Sequence, residues 1–375
     1  MTKTLTTPEH VQSNQGGKRS RRIRVLVADD SVVIRRLVSH VLGQDPELEV
    51  VGTAADGAIT LQKIPQVNPD VITLDVEMPV MNGLEALREI RKLYPKLHVI
   101  MFSTLTERGA SATIDALVLG ANDYVTKASN DGSLDKSLGR LRDELIPKIK
   151  QFFPTEPEQE LVSSVAQARG VAIPTSRAIP RTATRQRQIV AIGVSTGGPT
   201  ALAEIVPMFP ADFPLPVVLV QHMPPMFTKL LADRLQAKSK LRVVEATAGL
   251  SVEPGTLFIA PGDYHMRLRR TATAVQIDLD QSPPENSCRP AVDVLFRSVS
   301  RVYGGSAIAV VLTGMGSDGL RGVEHLKTEG AFVIAQDEPS SVVWGMPGAV
   351  VRAGLADATV SLKSVIGEIL IQAGY

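Results

Sequence analysis

The chain has little of what cross-links or anchors a protein. Its 375 residues include one cysteine, Cys288, so no internal disulfide can form, and the composition suits a reducing compartment. With no histidine near it in sequence, Cys288 reads as an ordinary small side chain rather than a nucleophile. Charge of either sign is not in excess: 40 Lys and Arg against 39 Asp and Glu leave +1, which argues against a general nucleic-acid binder. No apolar stretch approaches the roughly 20 residues that cross a bilayer, and the opening MTKTLTTPEH lacks the apolar core of a signal peptide. The expectation is a cytoplasmic protein. No repeat of fixed period is visible.

What is present is ample hydrophobic material, 44% of residues, in a chain longer than one core usually fills. Two domains are expected, separated by connectors. Residues 1–22 form a polar leader ending in Lys18, Arg19, Arg21 and Arg22, with no aromatic residues among the charges, and read as a disordered tail. Residues 149–188 carry Pro154, Pro157, Pro174 and Pro180, which preclude a continuous helix, and read as a linker.

Between the connectors, residues 23–148 alternate short apolar runs with helix-length segments: IRVLVA, LEVVGTA, VITLD, HVIMFS and DYVTK. Such runs predict a doubly wound sheet of five parallel strands, with a site at the strands' carboxyl ends. Asp29 and Asp30 end the first strand, Asp75 the third, Ser103 the fourth and Lys127 the fifth. Crowded carboxylates repel one another, and a hard divalent cation such as Mg²⁺ relieves the repulsion. Asp30 and Asp75 are the expected direct ligands, with Asp29 acting through water. The Asp75 carboxylate could then attack phosphorus, Lys127 pair with the phosphoryl group and Ser103 hydrogen-bond to it.

The motifs VADDS, TLDVEMPVMNG, MFST and YVTK resemble those of response-regulator receiver domains. The resemblance implies a flavodoxin-like fold, Mg²⁺-dependent phosphorylation of Asp75 by a histidine kinase, and Ser103, Tyr124 and Lys127 as switch residues. Receivers usually have proline after the lysine; this chain has Ala128, where a cis peptide would cost about 3 kcal/mol.

Residues 189–375 alternate again, through IVAIGV, PVVLVQ, LRVVEA, TLFIA, AIAVVLT and FVIAQ, with a hairpin inserted over residues 265–279. The expectation is a second α/β parallel-sheet domain. In IVAIGVSTGGPTAL a strand ends on Ser195 between glycines, the layout of a nucleophile elbow. His222 follows PVVLVQ, and Asp318 lies in TGMGSDG after another strand. A serine nucleophile needs a base, and the base a carboxylate to hold its tautomer; these three residues supply the roles at one rim. His265, in APGDYHM, is a rival base that could line the cleft. Asp263 reads as a turn aspartate and His325 as a surface helix residue. Amides near Met315, together with that of Thr196, could face an oxyanion.

The order Ser195, His222, Asp318 differs from that of α/β-hydrolases. Together with QHMP, RPAVDVLF and WGMPGAV it resembles the catalytic domain of chemotaxis protein-glutamate methylesterases, the CheB family. That resemblance implies phosphorylation-activated release of methanol from methylated chemoreceptors, receptor glutamine deamidation, no cofactor for ester hydrolysis, and membrane association only through receptors. Val194 stands where the family commonly has Ala or Ser.

Overall fold

The computed structural model describes residues 21–103, 106–127, 134–153 and 186–375, and contains two parallel-sheet α/β domains. In the first, β1 (Ile23–Ala28), β2 (Leu48–Ala54), β3 (Val71–Asp75), β4 (His98–Ser103) and β5 (Asp123–Thr126) pair in the order β2-β1-β3-β4-β5. Every pairing is parallel. The helices are α1 (Val32–Gly43), α2 (Gly57–Val67), α3 (Gly83–Leu93), α4 (Glu107–Leu119) and α5 (Leu134–Lys150). Ser31 caps α1 by accepting from the Ile34 amide, and Asn82 with Glu85 forms a capping box on α3, so both helices begin where side chains satisfy their free N–H groups. The order reverses between β1 and β3, which opens the crevice holding Asp29, Asp30 and Asp75.

The N-terminal domain packs beyond the expected boundary at residue 148. Ile149 is fully buried, and Phe152 stacks on His98 with ring centroids 4.4 Å apart, so the start of the expected linker belongs to the domain. The apolar side chains at 149, 152 and 153 outweigh the composition signal. Of the expected tail, only Arg21 and Arg22 are described, and Arg21 pairs with Asp70 at 3.5 Å.

The second sheet runs β14-β13-β12-β6-β7-β9-β8. Its strands are β6 (Ile189–Val194), β7 (Val217–Gln221), β8 (Arg242–Glu245), β9 (Thr256–Ile259), β12 (Ala307–Val311), β13 (Phe332–Gln336) and β14 (Ala358–Val360). All pair in parallel, and β6, β7 and β12 are buried along their whole length. The inserted hairpin, β10 (His265–Arg270) with β11 (Val275–Asp280), is a separate antiparallel ribbon. Helices α6 (Gly198–Ile205), α7 (Phe227–Gln236), α8 (Val292–Tyr303), α9 (Leu320–Thr328), α10 (Met346–Arg352) and α11 (Val365–Ala373) cover the sheet. The three-residue strand β14, too short to show alternation, escaped the sequence reading. The chain leaves β6 toward β7 on one side while β12 lies on the other, so the reversal point falls at the end of β6, above Ser195.

The two domains touch through α4 and β5 of the first and α6 and α7 of the second. Tyr124 stacks on Phe227 at 4.9 Å, both buried in one apolar cluster that spans the domains. Arg234 makes a forked pair with Asp115 at 2.6 and 3.1 Å, and Thr200 Oγ1 donates to the Leu117 carbonyl. Among the described residues no helix is long and apolar enough to cross a membrane.

Candidate functional sites

The first site sits on the crevice of the N-terminal sheet. Carboxylate oxygens of Asp29, Asp30 and Asp75 all lie within 4.8 Å of one another, beside a cavity of about 130 Å³ that Ser103 and Lys127 also line. Asp29 and Asp75 are buried and Asp30 is exposed. Lys127 Nζ reaches Asp75 Oδ2 at 2.7 Å and Asp29 Oδ2 at 2.9 Å. Burial pushes the Asp75 carboxyl up to about 6, against the opposing pull of Lys127, while Asp29 adds repulsion. Lys127 is itself raised, because its two carboxylate partners outweigh its burial. An all-oxygen donor set with one exposed member suits a cation that keeps several waters, as Mg²⁺ does. Ser103 Oγ donates to the Gly109 carbonyl at 3.1 Å. Tyr124 lies outside this cavity, in the domain contact. Ala128 falls outside the described residues.

Gly83 explains the glycine of the TLDVEMPVMNG motif. A Cβ there would stand 2.0 Å from the Asp75 carbonyl oxygen, so the first turn of α3 can press against the end of β3 only without a side chain.

The second site is built on adjacent strand ends. Val194 of β6 is in register with Gln221 of β7, which sets Ser195 beside His222. The Ser195 amide donates to the Thr313 carbonyl at 3.0 Å, and a Cβ on Gly314 would be 2.7 Å from Ser195 Cβ, so the glycine-rich loop packs directly on the nucleophile candidate. Buried Gln221 donates from Nε2 to the carbonyls of Ser195, at 2.9 Å, and His222, at 3.3 Å. Val194 is fully buried, so the branched side chain fits the core beneath the turn.

His222 Nε2 donates to Asp318 Oδ2 at 2.7 Å. Asp318, 3% exposed, also accepts from the amides of Val292, Asp293 and Gly319 and from Asn286 Nδ2. Burial opposes its charge, but His222 and these donors win and hold its carboxyl below the usual range. Burial likewise opposes protonation of His222; the Asp318 hydrogen bond and the Cys288 sulfur outweigh it and raise the ring to about 10. Nδ1 faces Cys288 Sγ at 3.5 Å, and among the described residues the Ser195 hydroxyl makes no hydrogen bond to the ring. The backbone amides of Thr196 and Met315 have no partner among the described residues, whereas that of Gly314 is taken by Val343.

The rivals fall elsewhere. His265 is fully buried, its Nδ1 accepting from the Ala291 amide at 3.3 Å and its Nε2 donating to the Pro283 carbonyl at 3.1 Å, so this rival base does not line the cleft. Hairpin closure over the α8 start turned it inward. Asp263, at φ 64°, pairs with Arg289, and His325 is exposed on α9. Cys288, read from the sequence as an ordinary small side chain, lies against the His222 ring instead; Asn286 and Asp293, whose Oδ2 accepts from Asn286 at 2.9 Å, escaped the sequence reading. Asn286 reaches Asp318 over 32 residues of chain and Cys288 reaches His222 over 66, and no local pattern marks them.

Comparison with known proteins agrees with this layout. A family model described as CheB methylesterase matches residues 190–369, and one for the response regulator receiver domain matches 25–138. A protein-glutamate methylesterase/protein-glutamine glutaminase of Trichodesmium erythraeum is 49% identical over 358 residues, covering 94% of this chain and 99% of that one. One of Thermotoga maritima is 43% identical over 337 residues, covering 90% and 94%. The crystal structure of the T. maritima CheB methylesterase catalytic domain shares 45% identity over 49% of this chain and 98% of its own, at a TM-score of 0.49.

Proposed function

The chain belongs to the CheB methylesterase family, and from that premise we propose that it hydrolyses glutamate methyl esters on chemoreceptors, and deamidates receptor glutamines, as a serine hydrolase controlled by phosphorylation of its receiver. The observation that supports the mechanism best is the 2.7 Å bond from His222 Nε2 to a buried Asp318, beside Ser195 at the reversal point of the sheet. With Nε2 protonated and bound to Asp318, Nδ1 is the nitrogen left to take the Ser195 proton. Ser195 Oγ attacks the ester carbonyl, the free amides of Thr196 and Met315 receive the oxyanion, and His222 returns the proton to methoxide. Water then repeats the sequence on the acyl-enzyme. An amide substrate differs only in its leaving group, ammonia.

In the receiver, Asp75 would be the phosphoryl acceptor, with Asp29, Asp30 and Asp75 holding Mg²⁺. Bound there, the ion would neutralise incoming phosphoryl oxygens. Lys127 would pair with the phosphoryl group and Ser103 would turn to it from Gly109. Control is direct rather than through the linker. Thr196 Oγ1 donates to Asp123 Oδ2 at 3.0 Å, and the Gly197 amide donates to the Asn122 carbonyl at 3.2 Å, so the receiver grips the turn beside Ser195. We take residues 23–153 and 189–375 as the two functional domains.

The test is methanol release from methyl-labelled receptor membranes, with and without acetyl phosphate. Release that rises with the phosphodonor and vanishes in Ser195→Ala supports the reading. A Ser195→Ala enzyme keeping more than about a tenth of wild-type turnover points to another nucleophile. A non-catalytic phospho-dependent adaptor would show no labelling by a serine-directed phosphonate.

A further inference from the structure

The segment after β11 returns to the active site as a tight turn. Glu285 and Cys288 exchange both backbone hydrogen bonds, at 3.1 and 2.9 Å, around Asn286 and Ser287 at φ 53° and 61°. Two central residues with positive φ make a primed turn, which leaves the flanking side chains little latitude. Its ends are pinned by charge: Glu285 to Arg297, with one oxygen at 2.6 Å, and Arg289 to Asp263 at 3.0 Å. From this turn Asn286 donates to Asp318, at 2.8 Å, and to Asp293, while Cys288 Sγ meets His222 Nδ1.

We propose that Cys288 is a positioning residue for the base: in the resting enzyme its sulfur shares a proton with His222 Nδ1 and holds the ring off Ser195, with Asn286 of the same turn steadying the acid. The inference rests on His222 being the base. Its physical content is a competition for one lone pair. Nδ1 has no other partner among the described residues, so the serine can engage it only when the thiol gives it up.

A Cys288–His222 hydrogen bond stabilises the pair carrying one proton, relative to the pair carrying two or none, wherever that proton resides. The first proton is therefore lost at lower pH than it would be from His222 without its sulfur neighbour, and the last at higher pH. His222 Nδ1 is free for the Ser195 proton only on loss of the last, in keeping with the upward push of the sulfur on the ring. Other ionisable groups around the pair are Asp318, Asp293 behind Asn286, and Glu285 with Arg297, all unchanged when Cys288 is replaced.

Methanol release by the full-length chain, measured from about pH 6 to about pH 11, tests this with wild type, Cys288→Ala, Cys288→Ser and His222→Ala. Cys288→Ala should move the acid limb of kcat/KM downward by about half a pH unit and so raise turnover about threefold at pH values on the limb, because the competing hydrogen bond is gone. Cys288→Ser, which keeps a donor, should lie between. Since Cys288 is the sole cysteine, its thiolate ultraviolet titration should also change when His222 is replaced by Gln. A limb in Cys288→Ala that stays put or moves upward overturns the proposal, as does an identical thiolate curve in the His222→Gln protein. Activity surviving in His222→Ala would instead overturn the assignment of the base.

Discussion

At the residue scale, the two histidines near strand ends differ in what their nitrogens face. His222 spans Asp318 and Cys288, whereas His265 spans two backbone groups. His222→Ala should match Ser195→Ala in lost turnover, since proton transfer and attack act as a unit. His265→Ala should keep turnover per folded molecule and lower stability by about 2 kcal/mol, read in denaturant unfolding, because the Ala291 amide and Pro283 carbonyl lose a buried partner. Asp318→Asn should lose less activity than Ser195→Ala. It should also lower stability, since an amide NH₂ must face the Val292 or Asp293 N–H. Asp75 has the opposite sign from a usual carboxylate. Its folded pKa of about 6 lies above the unfolded 3.8, so its ionisation removes stability as pH rises through that window. Asp75→Asn should therefore raise the receiver's unfolding midpoint near pH 7 and leave it unchanged near pH 4. Equal shifts at both pH values would show that Lys127 fully compensates the buried charge.

At the element scale, the strand-to-helix turn after β6 depends on absent side chains. A Cβ at Gly198 would stand 1.9 Å from Gln221 Oε1 and 2.7 Å from Val194 Cγ2. The Gln221 amide holds the carbonyls of Ser195 and His222, so displacing it loosens nucleophile and base together. Gly198→Ala should cut the rate of phosphonate labelling at Ser195 by at least about tenfold while leaving cooperative unfolding intact, since misplacement of this size costs about two decades in an oriented reaction. Unchanged labelling would mean that Gln221 is not needed for the geometry.

At the scale of the whole molecule, the receiver rests on the esterase through Tyr124, Asn122, Asp123 and α4, all near the β5 end of its sheet. Phosphorylation at Asp75 would act across β4 and β5 on that same surface. Shifting the docking equilibrium tenfold needs about 1.4 kcal/mol of differential stability. Arg234→Ala removes a half-exposed forked pair, so unphosphorylated turnover should rise only about two- to fivefold. Asp75→Asn should keep basal turnover and ignore acetyl phosphate. A fragment from Gln188 onward that proved less active than the intact unphosphorylated chain would mean that the grip on Thr196 and Gly197 supports the active site rather than restraining it.

Apolar runs of five or six residues separated by helix-length segments already determined two parallel sheets, because strands buried on both faces and joined by crossover helices have few other arrangements. Polar residues closing those runs, Asp29, Asp75, Lys127, Ser195 and His222, were legible for the same reason: chain direction sends every parallel strand's carboxyl end to one rim. Asp318 was legible through its glycine-rich loop. What only the tertiary structure decided depends on contacts between distant segments. Hairpin closure buried His265; the Asn286–Ser287 turn carried Cys288 back to His222; apolar packing drew Phe152 and Phe153 into the receiver; and docking set Asp123 against Thr196. Periodicity and motifs report what each segment needs from its own neighbours, whereas these partners are chosen by burial across the folded chain, which leaves no mark at fixed spacing.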